Sequence, residues 1–326
     1  MPHSQISSCD TAHLSELARN EAPLVLVVGM HRSGTSATAG AIAAMGINPP
    51  RDDDLMVDPG ASNEKGHWES RSLLEVNNLL IRHYGGTWSA PALPDPDWYR
   101  DPVFEGLRAE ASRRFAQAFD KSPSVWKDPR LCLTLPFWTS VITLPVAAIF
   151  VFRDPMEVAI SLQARSEIPI TYGLASWDRH VRCAAANLSG IPTLAVDYGN
   201  LVTDPAGFAD EVVDFFANLS LEVEVDARDR VTKFLDQDLR HQRDIAYDPH
   251  LLQTLGEVMD VLRSKAGQHH PWTSPELGSE PGWVDDVLSL AARSERALAE
   301  IDSFRSSPAY RFAQSIRKVH KKIVRR

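Results

Sequence analysis

The stretch Leu24-Val25-Leu26-Val27-Val28-Gly29-Met30-His31-Arg32-Ser33-Gly34-Thr35-Ser36 decides the fold. Its five apolar, mostly β-branched leading residues predict a buried strand. A glycine-bounded turn follows, and the small-residue run Thr35–Met45 predicts a helix. Gly29 and Gly34 have the G-x-x-x-x-G spacing of a phosphate loop, a pattern that ordinarily continues Lys-Ser/Thr. Here it continues Thr35-Ser36, and the cation inside the loop is Arg32. Glycines let the backbone approach an anion, so that N–H groups converge on it. The following helix adds its positive N-terminal end. Thr35 and Ser36 supply hydroxyl donors, and Arg32 supplies a planar, permanently charged fork. The loop is thus built for a phosphate, but it lacks the lysine that serves a nucleoside triphosphate.

Working outward, the alternation continues. Strands are expected at Leu24–Val28, Ser124–Lys127, Val146–Phe152 and Thr193–Val196. Helices are expected at Thr35–Met45, Ser70–His83, Phe104–Phe119, Met156–Arg165, Trp177–Leu188 and Asp210–Asn218. Strands alternating with helices predict an α/β fold, a three-layer parallel sheet of phosphate-loop type flanked by helices. Ligands then bind beyond the carboxyl ends of the strands, where Gly29 and Arg153 fall. The 326 residues divide into a peripheral segment 1–21, a main domain 22–268, a linker 269–281 and a helical extension 282–326.

The hydrophobic content of 44% supports an ordinary packed core. No apolar run approaches the roughly 20 residues that span a membrane, and the N-terminus has no secretory-signal pattern. Cys9, Cys132 and Cys183 are scattered, without metal or CxxC spacing, which fits a reducing cytoplasm. Net charge is −9, but Arg311–Arg326 holds seven Lys/Arg and no acid, so the body is more acidic still. An acidic body argues against a nucleic-acid binder.

The phosphate-site design recurs at Ala147-Ala148-Ile149-Phe150-Val151-Phe152-Arg153-Asp154-Pro155-Met156-Glu157-Val158-Ala159-Ile160-Ser161. A buried strand ends at Arg153. Asp154 suits a helix N-cap, Pro155 the first helical position, and Glu157 completes a capping box. Ser161 lies about two turns into that helix, on a face that returns toward Arg153. Two phosphate sites on adjacent strands suit a nucleotide phosphorylated at both its 5′ and 3′ positions.

Together the two motifs resemble sulfotransferases that use 3′-phosphoadenosine 5′-phosphosulfate (PAPS). Arg32-Ser33-Gly34-Thr35-Ser36 resembles the family's 5′-phosphosulfate loop, and the spacing of eight between Arg153 and Ser161 is similar to its 3′-phosphate motif. Tyr198-Gly199-Asn200-Leu201-Val202-Thr203-Asp204-Pro205 resembles a later Tyr-x-x-Leu…Pro segment. The resemblance covers about Leu24 to Asp204. Arg32 stands where cytosolic steroid and phenol enzymes have lysine, and their Lys-x-His segment is missing, so the similarity is to the bacterial, carbohydrate-directed branch. It implies PAPS as donor and no metal. The implied donor-binding set is His31, Arg32, Ser33, Gly34, Thr35, Ser36, Arg153 and Ser161, and the implied acceptor is a carbohydrate or lipid-linked glycan.

Sulfuryl transfer places an acceptor oxygen in line with the leaving phosphate oxygen, so positioning and charge stabilisation carry the catalysis. Arg32 is the expected stabiliser. A sugar hydroxyl also calls for a base. Asn63-Glu64-Lys65-Gly66-His67-Trp68-Glu69 resembles an Asn-x-x-Gly-aromatic-Trp-Glu segment of carbohydrate-directed members, which points to Glu69 as base. The same glutamate also reads as a plain N-terminal helix acid. His67, an imidazole suited to base chemistry, is an alternative. So is Asp128 in Lys127-Asp128-Pro129-Arg130, which equally reads as a turn cap, while Lys127 or Arg130 are candidates for an anionic ligand. Arg240 and His241 are candidates to close over the site, and Trp68, Trp88, Trp98, Trp126, Trp138 and Trp177 read mostly as core, with an adenine- or sugar-stacking residue among them as the alternative.

Beyond the linker, Phe312, Ile316, Val319 and Ile323 against the cations make a short amphipathic helix. It suits an anionic membrane surface, a homodimer contact or a solvated tail equally well, and places the protein in the cytoplasm, at or off the inner membrane face. A phosphate-loop kinase or a non-catalytic nucleotide-binding scaffold is the competing reading.

Overall fold

The computed structural model describes residues 22–56, 67–235, 249–308 and 310. Five strands form one sheet in the order β2-β1-β3-β4-β5: β1 (Leu24–Val28), β2 (Val125–Lys127), β3 (Val146–Phe152), β4 (Thr193–Asp197) and β5 (Gly267–His269). The first four are parallel, with Leu26 opposite both Trp126 and Ala148, and Phe150 opposite Ala195. β5 runs antiparallel to β4 at the edge, an exception to the all-parallel expectation. Its Gly-Gln-His sequence carries no apolar signal.

Alternation along β1 sorts the molecule into three layers. Leu24, Leu26 and Val28 join one core, with Phe150 and Phe152 of β3. Val25 and Val27 join the other, with Ile149 and Val151. Because successive strand side chains point to opposite faces, both faces of this sheet are buried. The first face is covered by α2 (Arg71–His83), α3 (Glu105–Ala118), α4 (Leu131–Thr139), α5 (Pro155–Ser166), α6 (Ile170–Asn187) and α10 (Pro249–Ser264). The second is covered by α1 (Thr35–Ala44), α8 (Pro205–Asn218) and α9 (Ala227–Leu235), with the short α7 (Tyr198–Thr203) following β4.

α4 was not legible in the sequence, because it contains Pro136 and is apolar on every side. It is nonetheless buried, and Trp138 packs edge-to-face on Trp126 at 4.7 Å. Trp126, Trp138, Trp177 and Trp272 are all fully buried core residues.

Within residues 269–281, Trp272 is the buried anchor. Trp272 is 1% exposed and donates its indole N–H to the Ala185 carbonyl at 2.9 Å. Beyond them α11 (Gly282–Ser306) lays Val284, Leu288 and Ala292 on Ala175 of α6. Arg179, 1% exposed, locks this junction through Glu280 and Asp285, at 2.9 and 3.0 Å. No helix among the described residues is long and apolar enough to cross a membrane. The basic tail, Cys9, Arg240 and His241 lie outside the described residues.

Candidate functional site

The site forms where β1 and β3, neighbours in the sheet, end side by side. Gly29 terminates β1, and a Cβ there would strike the Val151 carbonyl of β3 and crowd Thr35. Gly34 has φ +91°, and a Cβ there would run into the Tyr198 ring. Both loop glycines are therefore required by geometry. α1 begins directly after Gly34 with no side-chain cap and no acid in its first turn. Its first N–H groups and the positive end of its dipole are left open to an anion. Ser33 Oγ is buried without a partner, and Ser36 Oγ lies 3.5 Å from the His67 carbonyl.

The second turn is built differently. Asp154 caps α5, accepting from the N–H groups of Met156 at 2.9 Å and Glu157 at 3.2 Å, with Pro155 at the first helical position. Glu157 does not act as the reciprocal arm of a capping box. Its carboxylate instead takes the Arg153 Nε at 2.7 Å.

The structure brings the two sequence-derived turns into contact. Arg32 Nε donates to Ser161 Oγ at 2.8 Å. Arg153 Nη1 donates to the Arg32 carbonyl at 3.1 Å. The Arg153 guanidinium also lies over the Tyr198 ring, 4.6 Å from its centroid, and the Arg153 carbonyl accepts from Trp177 Nε1 at 3.0 Å. Tyr198 thus touches both turns, which gives a physical role to a residue known until here only through its Tyr-x-x-Leu segment. Arg32 holds φ +70°, a conformation that costs a non-glycine residue about 1–2 kcal/mol and aims its side chain at α5. Burial, together with the nearby charges of Arg165 and Arg153, lowers its pKa. Three guanidinium groups gathered at one place favour a polyanionic ligand.

On the β2 side, Glu69 is 5% exposed and accepts from Lys127 Nζ at 2.5 Å, with Arg130 Nη1 3.8 Å from its other oxygen. Asp128 is held by Asn77 Nδ2 at 2.8 Å, by the Arg130 N–H at 2.9 Å and by Arg130 Nη1 at 3.0 Å. These bonds make Asp128 the organiser of the turn into α4. His67 is buried, and its backbone carbonyl is the part that faces Ser36. His31 parts company with Arg32: its ring packs against Trp88, 4.6 Å between centroids, and meets His180 edge-on at 6.2 Å. The sequence offered Trp88 only as one of six tryptophans and His180 not at all, because the contacts that matter are tertiary and carry no local spacing. Among the described residues no group of His, Cys, Asp and Glu is arranged to hold a metal ion.

No family model and no curated protein matches the sequence. Among solved structures, the chain is similar to the sulfotransferase domain of the Synechococcus PCC 7002 olefin synthase, at 18% identity, covering 85% of this chain and 95% of that one, with a TM-score of 0.39. It is also similar to sulfotransferase STF9 from Mycobacterium avium, at 14% identity, covering 77% and 79%, with a TM-score of 0.47. A sulfotransferase domain of the curacin biosynthetic pathway gives 13% identity, coverage of 83% and 98%, and a TM-score of 0.41. At these values the likeness assigns neither an activity nor a family to this chain.

Proposed function

We propose that the protein is a sulfotransferase that moves a sulfuryl group from PAPS to a hydroxyl of a carbohydrate or glycolipid acceptor. The observation that carries this reading is the junction of Arg32, Ser161 and Arg153, which joins an open helix N-terminus to a second cationic strand end. A donor with phosphates on both ends of one ribose needs such a pair of sites at a fixed separation. The residues present fit it. The cradle at Gly29 and Gly34 has no room for a Cβ, Ser33 Oγ is an unpartnered buried hydroxyl, and the first turn of α1 is free of acid.

In this reading Arg32 to Ser36 surround the 5′-phosphosulfate, with Arg32 meeting the charge that develops on the leaving oxygen, while the His31 ring is turned to Trp88 and His180. Arg153 meets the 3′-phosphate, and Ser161 and Glu157 hold the two guanidinium groups in place beforehand. Glu69 fixes Lys127 and Arg130 on the acceptor side. Its lone pairs are engaged there, so a role as base requires its release from Lys127. The carbohydrate-directed assignment rests on the Trp68-Glu69 segment. Work at the inner membrane face on a lipid-linked glycan rests on the basic tail.

The test is calorimetry followed by transfer. Tight binding of adenosine 3′,5′-bisphosphate without divalent metal, and passage of label from radiolabelled PAPS to a glycan panel, support the reading. Preference for Mg·ATP sinks it in favour of a kinase. Bisphosphate binding without transfer to any acceptor favours a non-catalytic scaffold.

A further inference from the structure

The segment between α2 and α3 brings one ring to the phosphate loop, that of Trp88, which lies against His31 with 4.6 Å between centroids. The residues around Trp88 are held by α11 and α6. Thr87 Oγ1 accepts from the Ala90 N–H at 3.0 Å, and the Thr87 N–H donates to the Ala90 carbonyl at 3.0 Å. Residues 87–90 therefore close on themselves, with Trp88 in the bend. Ala90 is fully buried in one cluster with Val284, Leu288 and Ala292 of α11. The Pro91 carbonyl accepts from Arg179 Nη1 of α6 at 2.9 Å. Ser89, 4% exposed, donates its hydroxyl to Glu295 Oε1 of α11 at 2.8 Å. The backbone that presents Trp88 is thus gripped from behind by the helical extension.

Glu295 is where these contacts converge. The same Oε1 accepts from the Tyr172 hydroxyl of α6 at 2.5 Å. Burial first, then this bond, raises the Tyr172 pKa, so the phenol stays a donor. One carboxylate oxygen therefore ties α6, α11 and the 87–91 segment together at a point. α6 in turn borders both turns of the site, since Trp177 Nε1 donates to the Arg153 carbonyl and the His180 ring meets that of His31. On the loop side the consequence falls on Arg32. A φ of +70° in a non-glycine residue persists only where the surroundings hold it. Ser161 fixes the Arg32 guanidinium, and Trp88 stands against the side chain one residue earlier. Two consecutive residues of the loop are thus gripped from different elements.

We propose that Glu295 is a positioning residue of the phosphate loop: through Ser89 it sets Trp88 against His31, and so keeps Arg32 in the conformation that meets the donor. In this respect the helical extension is part of the site and not an appendage to it. The effect on donor binding rests on the donor assignment made above, whereas the effect on His31 does not.

The test is NMR of the His31 ring signals in the full chain without ligand, identified by their loss in H31Q. The indole of Trp88 displaces these signals by its ring current, and W88L marks the position they take without it. E295A and S89A are each expected to move the signals most of the way to the W88L position. Y172F and E295Q, which leave an acceptor oxygen facing Ser89, are expected to keep the wild-type position. Signals that stay in place in folded E295A or in S89A overturn the proposal, and S89A decides alone where E295A does not fold. Equal displacement in Y172F also overturns it, for that would mean a general loosening of α6 from α11. Calorimetry with adenosine 3′,5′-bisphosphate gives the second measurement. E295A is expected to weaken binding about tenfold, with E295Q restoring most of it, and an unchanged affinity in E295A overturns the link from α11 to the loop. A wild-type protein that does not bind the bisphosphate overturns the donor assignment instead, and the His31 signals then decide this inference on their own.

Discussion

The turns after β1 and β3 use one plan, strand then tight turn then helix, and finish it in opposite ways. At Gly34 the helix start is left bare, with no cap and no acid. At Asp154 the protein fills the helix start with its own carboxylate and places Glu157 in the first turn. An anion can use backbone N–H groups at the first turn only. At the second it must rely on a side chain, and Arg153 is supplied at the last position before the cap. The difference shows that a helix N-terminus stays available to an anion when the chain leaves it uncapped.

The comparison is most severely broken by G34A. The new Cβ meets the Tyr198 ring and the backbone sits at φ +91°, so binding of adenosine 3′,5′-bisphosphate is expected to vanish in calorimetry, with a stability loss of about 2 kcal/mol or more. Binding close to wild type would show that the backbone cradle is not the anchor. R153A comes next. It should weaken the bisphosphate by about 100-fold, from loss of one charged pairing, while hardly changing adenosine 5′-phosphosulfate, which lacks the 3′-phosphate. Equal losses for both ligands would merge the two turns into one site. S161A removes the oxygen that fixes Arg32 Nε, and about a tenfold loss of bisphosphate affinity is expected. D154A should do the least to the ligand. It removes the cap of α5 and about 1 kcal/mol of stability by thermal melting, with bisphosphate affinity kept. A gain in affinity for D154A would mean that the second helix start also attracts the anion once its own carboxylate is gone.

How much of this was legible in the sequence follows from the range of the interactions involved. β1, β3 and their two turns are written in contiguous residues, since an apolar run, a glycine pair or an Asp-Pro step constrains its neighbours directly. The meeting of Arg32 with Ser161 joins positions 129 apart, and spacing alone placed them only near one another. Glu69 was read from the resemblance of its Asn63–Glu69 segment, with a helix-start acid as the alternative, whereas its environment is set by Lys127, 58 residues on. His31 was grouped with the donor because it lies between two loop residues, yet Trp88 and His180 surround its ring. β5 and α4 escaped because one is polar and the other contains a proline, and packing overrides both signals.

The contact of Gly29 with the Val151 carbonyl has a further consequence. It joins the two turns through main chain alone, at the pitch of neighbouring strands, about 4.8 Å. The sheet therefore sets the distance between the two turns. On the proposed donor reading, side-chain changes at Arg32, Arg153 or Ser161 adjust the grip on either end of a nucleotide, while the spacing of the two turns themselves is set by the sheet.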